Sequence, residues 1–386
     1  MTDHRVPKEA DFRWWERFRE QMPVARRWAY FDHAAVAPLP EPSRTALQTW
    51  LEQATEHGDV HWPEWARRVE QLRTAAADLL GATTEEIALV RSTSEGVNLV
   101  AEGIPWQPGD NVVTLADEFP TNQYPWLNQA DRGVEVRRLP VGPDGVSEEA
   151  IAAACDQRTR LVTISWVSFC TGRRLDLDRL TELVHRRGAL LFVDGIQGLG
   201  VLPLDVRQTP IDFLAADGHK WLLGPEGAGL FYVRRKHLDL LRPMGLGWNS
   251  VVHAHDFSRI ELNLKDTASR YEGGSQNMAG MIALGASVEL LHAIGPAALA
   301  GRIFEMTDLA CDRLQSIGAT IISDRSPQRK SGIVIFEFAG RDPMALREQC
   351  LRADVVISCR GGRLRISVHG YNDESDVERL IAALQG

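Results

Sequence analysis

Cysteine is scarce in this sequence. Its 386 residues hold five: Cys155, Cys170, Cys311, Cys350 and Cys359. They are widely scattered and form no CxxC pair, which argues against a disulfide framework or a structural zinc site and points to a reducing cytoplasm. No stretch approaches the roughly 18 uninterrupted apolar residues that a membrane span needs. The opening MTDHRVPKEA is polar and charged, without the apolar run of a signal peptide. Basic charge is in deficit too. Lys and Arg number 43 against 52 Asp and Glu, a net charge of −9 with no basic block, so no nucleic-acid partner is expected. No GxGxxG occurs, and GIQGLG (195–200) has its glycines in another order, which removes the main support for a nicotinamide-dependent oxidoreductase. What remains is ordinary for a globular chain: 44% hydrophobic and 25% charged, long enough for about two or three domains.

The chain reads as three parts. Residues 1–28 set Phe12, Trp14, Trp15 and Phe18 among charges and are expected to form an amphipathic arm packing on the small domain. Residues 29–278 read as a large α/β domain. A helix is expected from about Pro63, because Trp65, Val69, Leu72, Ala76, Leu79 and Leu80 share one face. Gly81 stands where a helix-ending glycine belongs. Seven short apolar runs are candidate buried strands: IALV (87–90), NVVTLA (111–116), VEVRRL (134–139), RLVTISWV (160–167), ALLFVD (189–194), IDFLAAD (211–217) and AGLFYV (228–233). Helical patterns separate several of them, including DRLTELVHRRG (178–188), which closes on a basic turn and a glycine. This alternation predicts a mostly parallel seven-stranded sheet covered by helices. Residues 279–386 read as a smaller α+β domain: long helical stretches (279–317), strands SGIVIFEF (331–338) and RLRISV (363–368), and a closing helix from about Asp373.

Open α/β sheets bind ligands at the carboxyl ends of their strands, and four segments there carry chemistry. RSTSEGVN (91–98) offers Ser92, Thr93 and Ser94 at a helix start, a cap or an anion site. In ALLFVDGIQG, Asp194 ends an apolar strand, and a buried carboxylate there requires a cation or donors; Gln197 follows within reach. In ADGHKWLLGPEGAG (216–229), Lys220 stands between an apolar strand and an apolar WLL run, where a lysine can lose its proton and act as a nucleophile. In YEGGSQN (271–277), the glycines suit close backbone approach. His253 and His255 have a metal-like spacing without accompanying carboxylates, so no metal is expected.

Together these pieces resemble the class V branch of fold-type I pyridoxal-5′-phosphate (PLP) enzymes, which includes cysteine desulfurases, isopenicillin N epimerase-like proteins, kynureninase and aminotransferases. The likeness runs from YFDHAAVAPLP (30–40) to LRISVHGYNDESDVERL (364–380), and VDGIQ and DGHKWLLGPEG are its most specific parts. It implies that Lys220 joins the PLP aldehyde and serves as acid/base at the substrate Cα. It implies that Asp194 pairs with the ring nitrogen and that Gln197 bonds the phenolic oxygen. Thr93, Ser94 and His219 would hold the phosphate. Ser275 would reach a phosphate in the neighbouring subunit of a homodimer with shared active sites. Phe119, in DEFPTNQYPW (117–126), would stack on the ring where desulfurases place a histidine. Arg365 would clamp the substrate carboxylate, with Arg360 a second guanidinium on the same loop. His61 and His33 lie in segments that border the substrate cavity in related folds.

Two departures stand out. Desulfurases carry a small hydroxyl residue before the Gly-His-Lys triplet, whereas Asp217 is here, and its charge would repel a phosphate. They also need a nucleophilic cysteine shortly before the carboxylate-binding Arg, but SCRGGRLR (358–365) is short and Cys359 precedes Arg360. A conventional persulfide-forming desulfurase is therefore disfavoured. The reading is an enzyme acting at the Cα of an amino acid, aminotransferase-like first, with a C–S or other β-lyase and an epimerase as alternatives. A non-catalytic protein on the PLP fold is the competing class.

Overall fold

A computed structural model describes residues 14–142 and 145–386; Phe12, expected in the arm, lies outside them. In chain order the strands are β1 (Ala29–Tyr30), β2 (Ile87–Val90), β3 (Asn111–Leu115), β4 (Glu135–Leu139), β5 (Thr159–Ser165), β6 (Leu190–Asp194), β7 (Phe213–Asp217), β8 (Gly229–Val233), β9 (Thr320–Ile321), β10 (Ile333–Glu337), β11 (Val355–Val356), β12 (Ser358–Arg360) and β13 (Arg363–Ser367).

Strands β2 to β8 are the seven apolar runs, and they make one sheet in the order β2-β8-β7-β6-β5-β3-β4. All run the same way except β8, which is antiparallel to both β2 and β7. β2, β3, β7 and β8 are buried along their whole length. That is why they read as unbroken apolar runs: a parallel sheet covered on both faces has no polar side. The edge strand β4 is more exposed and carries Arg137 and Arg138, charges that discourage pairing with another edge. The helix Trp62–Leu80 ends at Gly81, whose φ of +64° is left-handed. A Cβ there would also lie 2.4 Å from Asp205 Oδ1, so glycine is required twice over.

Strands β12-β13-β10-β9 make a four-stranded antiparallel sheet with its own core, in which Phe336, Ile366 and Leu380 are fully buried. The N-terminal part of the chain crosses to it. β1 pairs in parallel with β11, Asp32 bridges Ser367, and Ala29 and Phe31 join this second core. Phe18 packs edge-on against His369 and Tyr371, Arg19 binds Asp376 at 2.7 Å, and Arg302 lies over Trp15. The helix Met278–Ile294 packs instead on the helices Glu41–His57 and Trp62–Leu80, burying Met281, Leu284 and Val288 in the larger core. No single helix among the described residues is long and apolar enough to cross a membrane.

Candidate active site

The carboxyl ends of β5, β6 and β7 lie side by side, with Ser165 beside Asp194 and Asp194 beside Ala215. The helix Thr93–Gly103 points its N-terminus at this edge. It comes close because Gly96 faces Ala215, where a Cβ would stand 2.5 Å from the alanine's own. Ser92 caps the helix by accepting from Glu95 N–H, and Thr93 Oγ1 accepts from Asp217 N–H at 2.9 Å. Ser94 Oγ and Thr121 Oγ1 lie 2.8 Å apart. The result is a cleft of about 340 Å³.

Thr93, Ser94, Phe119, Asp194, Gln197, His219, Lys220, Arg360 and Arg365 all line this cleft. Asp194 is 2% exposed. One carboxylate oxygen accepts from Ile196 N–H at 3.0 Å, and no cation is bonded to it among the described residues. Burial pushes its carboxyl up to about 6, against the restraint of that N–H and of Lys220. The Lys220 amine is pushed the other way, down to about 8. Burial is the main cause, Asp194 opposes it, and Arg365 and Arg360 add repulsion. Lys220 Nζ lies 5.7 Å from the centre of the Phe119 ring, and Phe119 meets Phe169 edge-on.

Gln197 is held in one orientation. Its oxygen accepts from Trp221 Nε1 at 2.8 Å, and its amide nitrogen donates to Ala34 O at 3.0 Å. One amide proton remains, so toward a ligand Gln197 is a donor. Arg365, 1% exposed, is fixed by Ser358 Oγ at 3.0 Å, Asp32 Oδ1 at 3.1 Å and Phe169 O at 3.3 Å. Arg360 is exposed at the cleft rim.

The Asp217 charge has a neighbour within the chain. Its Oδ1 lies 3.1 Å from His219 Nδ1, though neither atom makes a well-directed hydrogen bond.

Three expected residues do not line the cleft. His33 is fully buried, with Nδ1 on Ser367 O and Nε2 on Tyr371 Oη, both at 2.8 Å. Both ring nitrogens are spent inside a cluster with Trp221 and His369; His33 is thus corrected from a substrate contact to a packing residue. His61 starts the helix Trp62–Leu80 with its ring 3.6 Å from Glu64. Ser275 lines a separate cavity with Trp62 and Trp248. Sequence reasoning missed Asp32, Trp221 and Glu118. Glu118 is buried behind Asp194, bonded to Ser165, and pushed up to about 7 by burial. An acid just past a strand end, in ADEF, was its only signal.

Comparison with known proteins now decides the family. Residues 29–380 match the family "Aminotransferase class-V". The chain belongs to it. A probable cysteine desulfurase of Methanothermobacter thermautotrophicus is 31% identical, covering 96% of this chain and 97% of that one. A cysteine desulfurase of Klebsiella pneumoniae is also 31% identical, over 96% and 97%. Among solved structures, the cysteine desulfurase CsdA of Escherichia coli superposes with a TM-score of 0.86 at 26% identity, covering 99% of this chain and 98% of that one. A cystine C–S lyase in complex with its reaction product cysteine persulfide shares the fold, with a TM-score of 0.88 at 22% identity over 94% and 99%.

The protein is a PLP-dependent class V enzyme. The cleft suits that cofactor on its own chemistry. A buried carboxylate without a bonded cation fits a ring N–H, an amine lowered to about 8 fits an aldehyde, and a helix N-terminus carrying the Thr93 and Ser94 hydroxyls fits a phosphate.

Proposed function

We propose that this enzyme is a β-lyase that cleaves the C–S bond of a sulfur-containing amino acid without passing the sulfur through a cysteine of its own. The net reaction is R–S–CH2–CH(NH3+)–COO− plus water, giving R–SH, pyruvate and ammonium. The observation that carries it is the composition of the cleft. Lys220 is its one basic amine poised near neutrality, and no cysteine lines it among the described residues. Cys359 lies on β12, and the Cys170 thiol, next to Phe169, is pushed up to about 11 by burial, well away from a thiolate. The named relatives are cysteine desulfurases, which favours C–S chemistry over transamination.

Bound PLP supplies an electron sink for charge developing at the substrate Cα. The chain supplies the rest. Asp194 holds the ring nitrogen's proton, and Gln197 donates to the phenolic oxygen. Thr93, Ser94 and the helix N-terminus hold the phosphate, with His219 beside Asp217. Arg365, already rigid, meets the substrate carboxylate, with Arg360 at the rim. Lys220 Nζ takes the proton from Cα, and the thiolate leaves from Cβ. Phe119, whose ring centre lies 5.7 Å from Lys220 Nζ, would pack against the bound ring.

Aminotransferase-like chemistry, the first expectation, uses the same groups, and one assay separates the two. Holoenzyme mixed with an S-substituted cysteine, without a keto acid, is expected to release thiol and pyruvate continuously. Conversion of the cofactor to its amine form without pyruvate would instead establish transamination. Epimerisation has less support, because Phe119 stands where a second acid/base is needed, and Tyr124 and His61 lie off the cleft.

We also propose a homodimer, on two grounds. Phe257, Ile260 and Leu262 are 72%, 91% and 76% exposed, an apolar strip that water disfavours. Ser275 lies on the same side, near Trp248. All five cysteines are free, in keeping with a cytoplasmic setting.

A further inference from the structure

A cavity larger than the cofactor cleft lies beside it. It has a volume of about 640 Å³, against about 340 Å³ for the cleft, and the two meet at Phe169, which lines both. The partition is short. Asp117 and Glu118 face the larger cavity while Phe119, next in the chain, faces the cleft. Arg365, placed on the substrate carboxylate above, bonds the backbone of Phe169 itself. A substrate held by Arg365 is therefore one residue away from this space.

Its walls come from both sheets. Val141, Val146 and Leu175 contribute from the large sheet's side and Ile322 from the C-terminal side. Five charged side chains also line it: Arg173 lies 3.5 Å from Asp324, Arg363 bonds Glu337 outside the lining at 2.9 Å, Glu118 accepts from Ser165 N–H, and Asp117 completes the set. Cysteine alone would leave such a volume unused. Cavities of this size hold whole small molecules, and here the aliphatic wall of Val141, Val146, Leu175 and Ile322 offers contact to an apolar body.

We infer that this second cavity binds the sulfur substituent of the substrate, so the enzyme acts on S-substituted cysteines whose leaving thiol has a bulky apolar body. This rests on the lyase reading and names its substrate class. On cleavage the Cβ–S bond breaks, the sulfur keeps the electron pair and gains a proton, and the thiol departs from this cavity while pyruvate and ammonium form from the remainder.

The test uses holoenzyme with S-benzyl-L-cysteine and S-methyl-L-cysteine. Binding is titrated by the change in cofactor absorbance, and thiol release is read separately. Wild type is expected to bind the benzyl compound at least about tenfold more tightly, as apolar pockets discriminate by such factors. Val146→Trp and Ile322→Trp, at half-buried positions on opposite walls, are each expected to erase that preference while circular dichroism and cofactor absorbance stay those of wild type. Equal binding of the two compounds by wild type, or a preference that survives both variants, would overturn the inference. Absence of thiol from either compound would contradict the lyase reading instead, and the binding ratio would still decide the cavity.

Discussion

Two buried groups of opposite type face one cleft, and each is pushed toward its neutral form. The ordinary lysine value is 10.5, and Lys220 is lowered to about 8. Only the neutral amine attacks an aldehyde, so capture of PLP by apoenzyme should rise with pH, with a midpoint near 8. Stopped-flow absorbance over a pH series reads this directly; a midpoint near 10.5 would contradict it. Asp194 behaves inversely. Its folded value of about 6 lies above the ordinary 3.8, so the folded apoprotein holds the extra proton between those values and loses stability as pH rises through 6. Asp194→Asn removes that penalty. The apo variant should melt above apo wild type at pH 7 and above, match it near pH 4, and bind PLP more weakly; a lower melting temperature at pH 7 would mean a structural ion pair. Trp221 fixes the amide of Gln197. Trp221→Phe should shift the cofactor's absorbance and lower kcat/KM several-fold through a lost hydrogen bond, and should add nothing in a Gln197→Ala background. Additive effects would make Trp221 a packing residue only. Asp194 and Lys220 were readable because one ends an apolar strand and the other follows one by three residues. The partners of Gln197 and Arg365 were not, since Asp32 and Arg365 are 333 positions apart in the chain and no local pattern joins them.

The elements were more legible than their assembly. Every strand of the seven-stranded sheet coincides with an apolar run within about two residues, because double-sided burial writes itself into sequence. The helix Met278–Ile294 was foreseen as a helix. Its place against the helices Glu41–His57 and Trp62–Leu80 was not, as its apolar surface fits either core. Likewise β1 is two residues long and is made by its partner β11, not by any propensity of Ala29 and Tyr30. One tie between elements should dominate local stability. Arg73, from the helix Trp62–Leu80, bonds Ile87 O at 2.8 Å and Glu272 at 3.0 Å, and Glu272 in turn accepts from Leu89 N–H at 2.8 Å. Both charges are buried and both hold the edge strand β2. Glu272→Ala leaves the guanidinium paired with the more exposed Glu70 alone and takes the side-chain partner from Leu89 N–H, and should cost about 1–3 kcal/mol in urea unfolding. Arg73→Met with Glu272→Met should recover much of this; a single variant within experimental error of wild type would show the tie to be unimportant.

At the scale of the whole molecule, the two sheets contribute to one cleft. The large sheet supplies Asp194, Asp217 and Lys220, the C-terminal sheet supplies Arg365 and Arg360, and the N-terminal segment threads Asp32 and Ala34 between them. Family membership does not decide the fate of the sulfur; the residues around the cleft bear on it. The claim that sulfur leaves as a free thiol, never resting on the enzyme, is tested most directly by whole-chain mass spectrometry after a single turnover of an S-substituted cysteine. The account predicts stoichiometric pyruvate and a protein mass unchanged from the resting holoenzyme. A gain of one sulfur atom or of the RS group, mapped to Cys359 or Cys170, would contradict it.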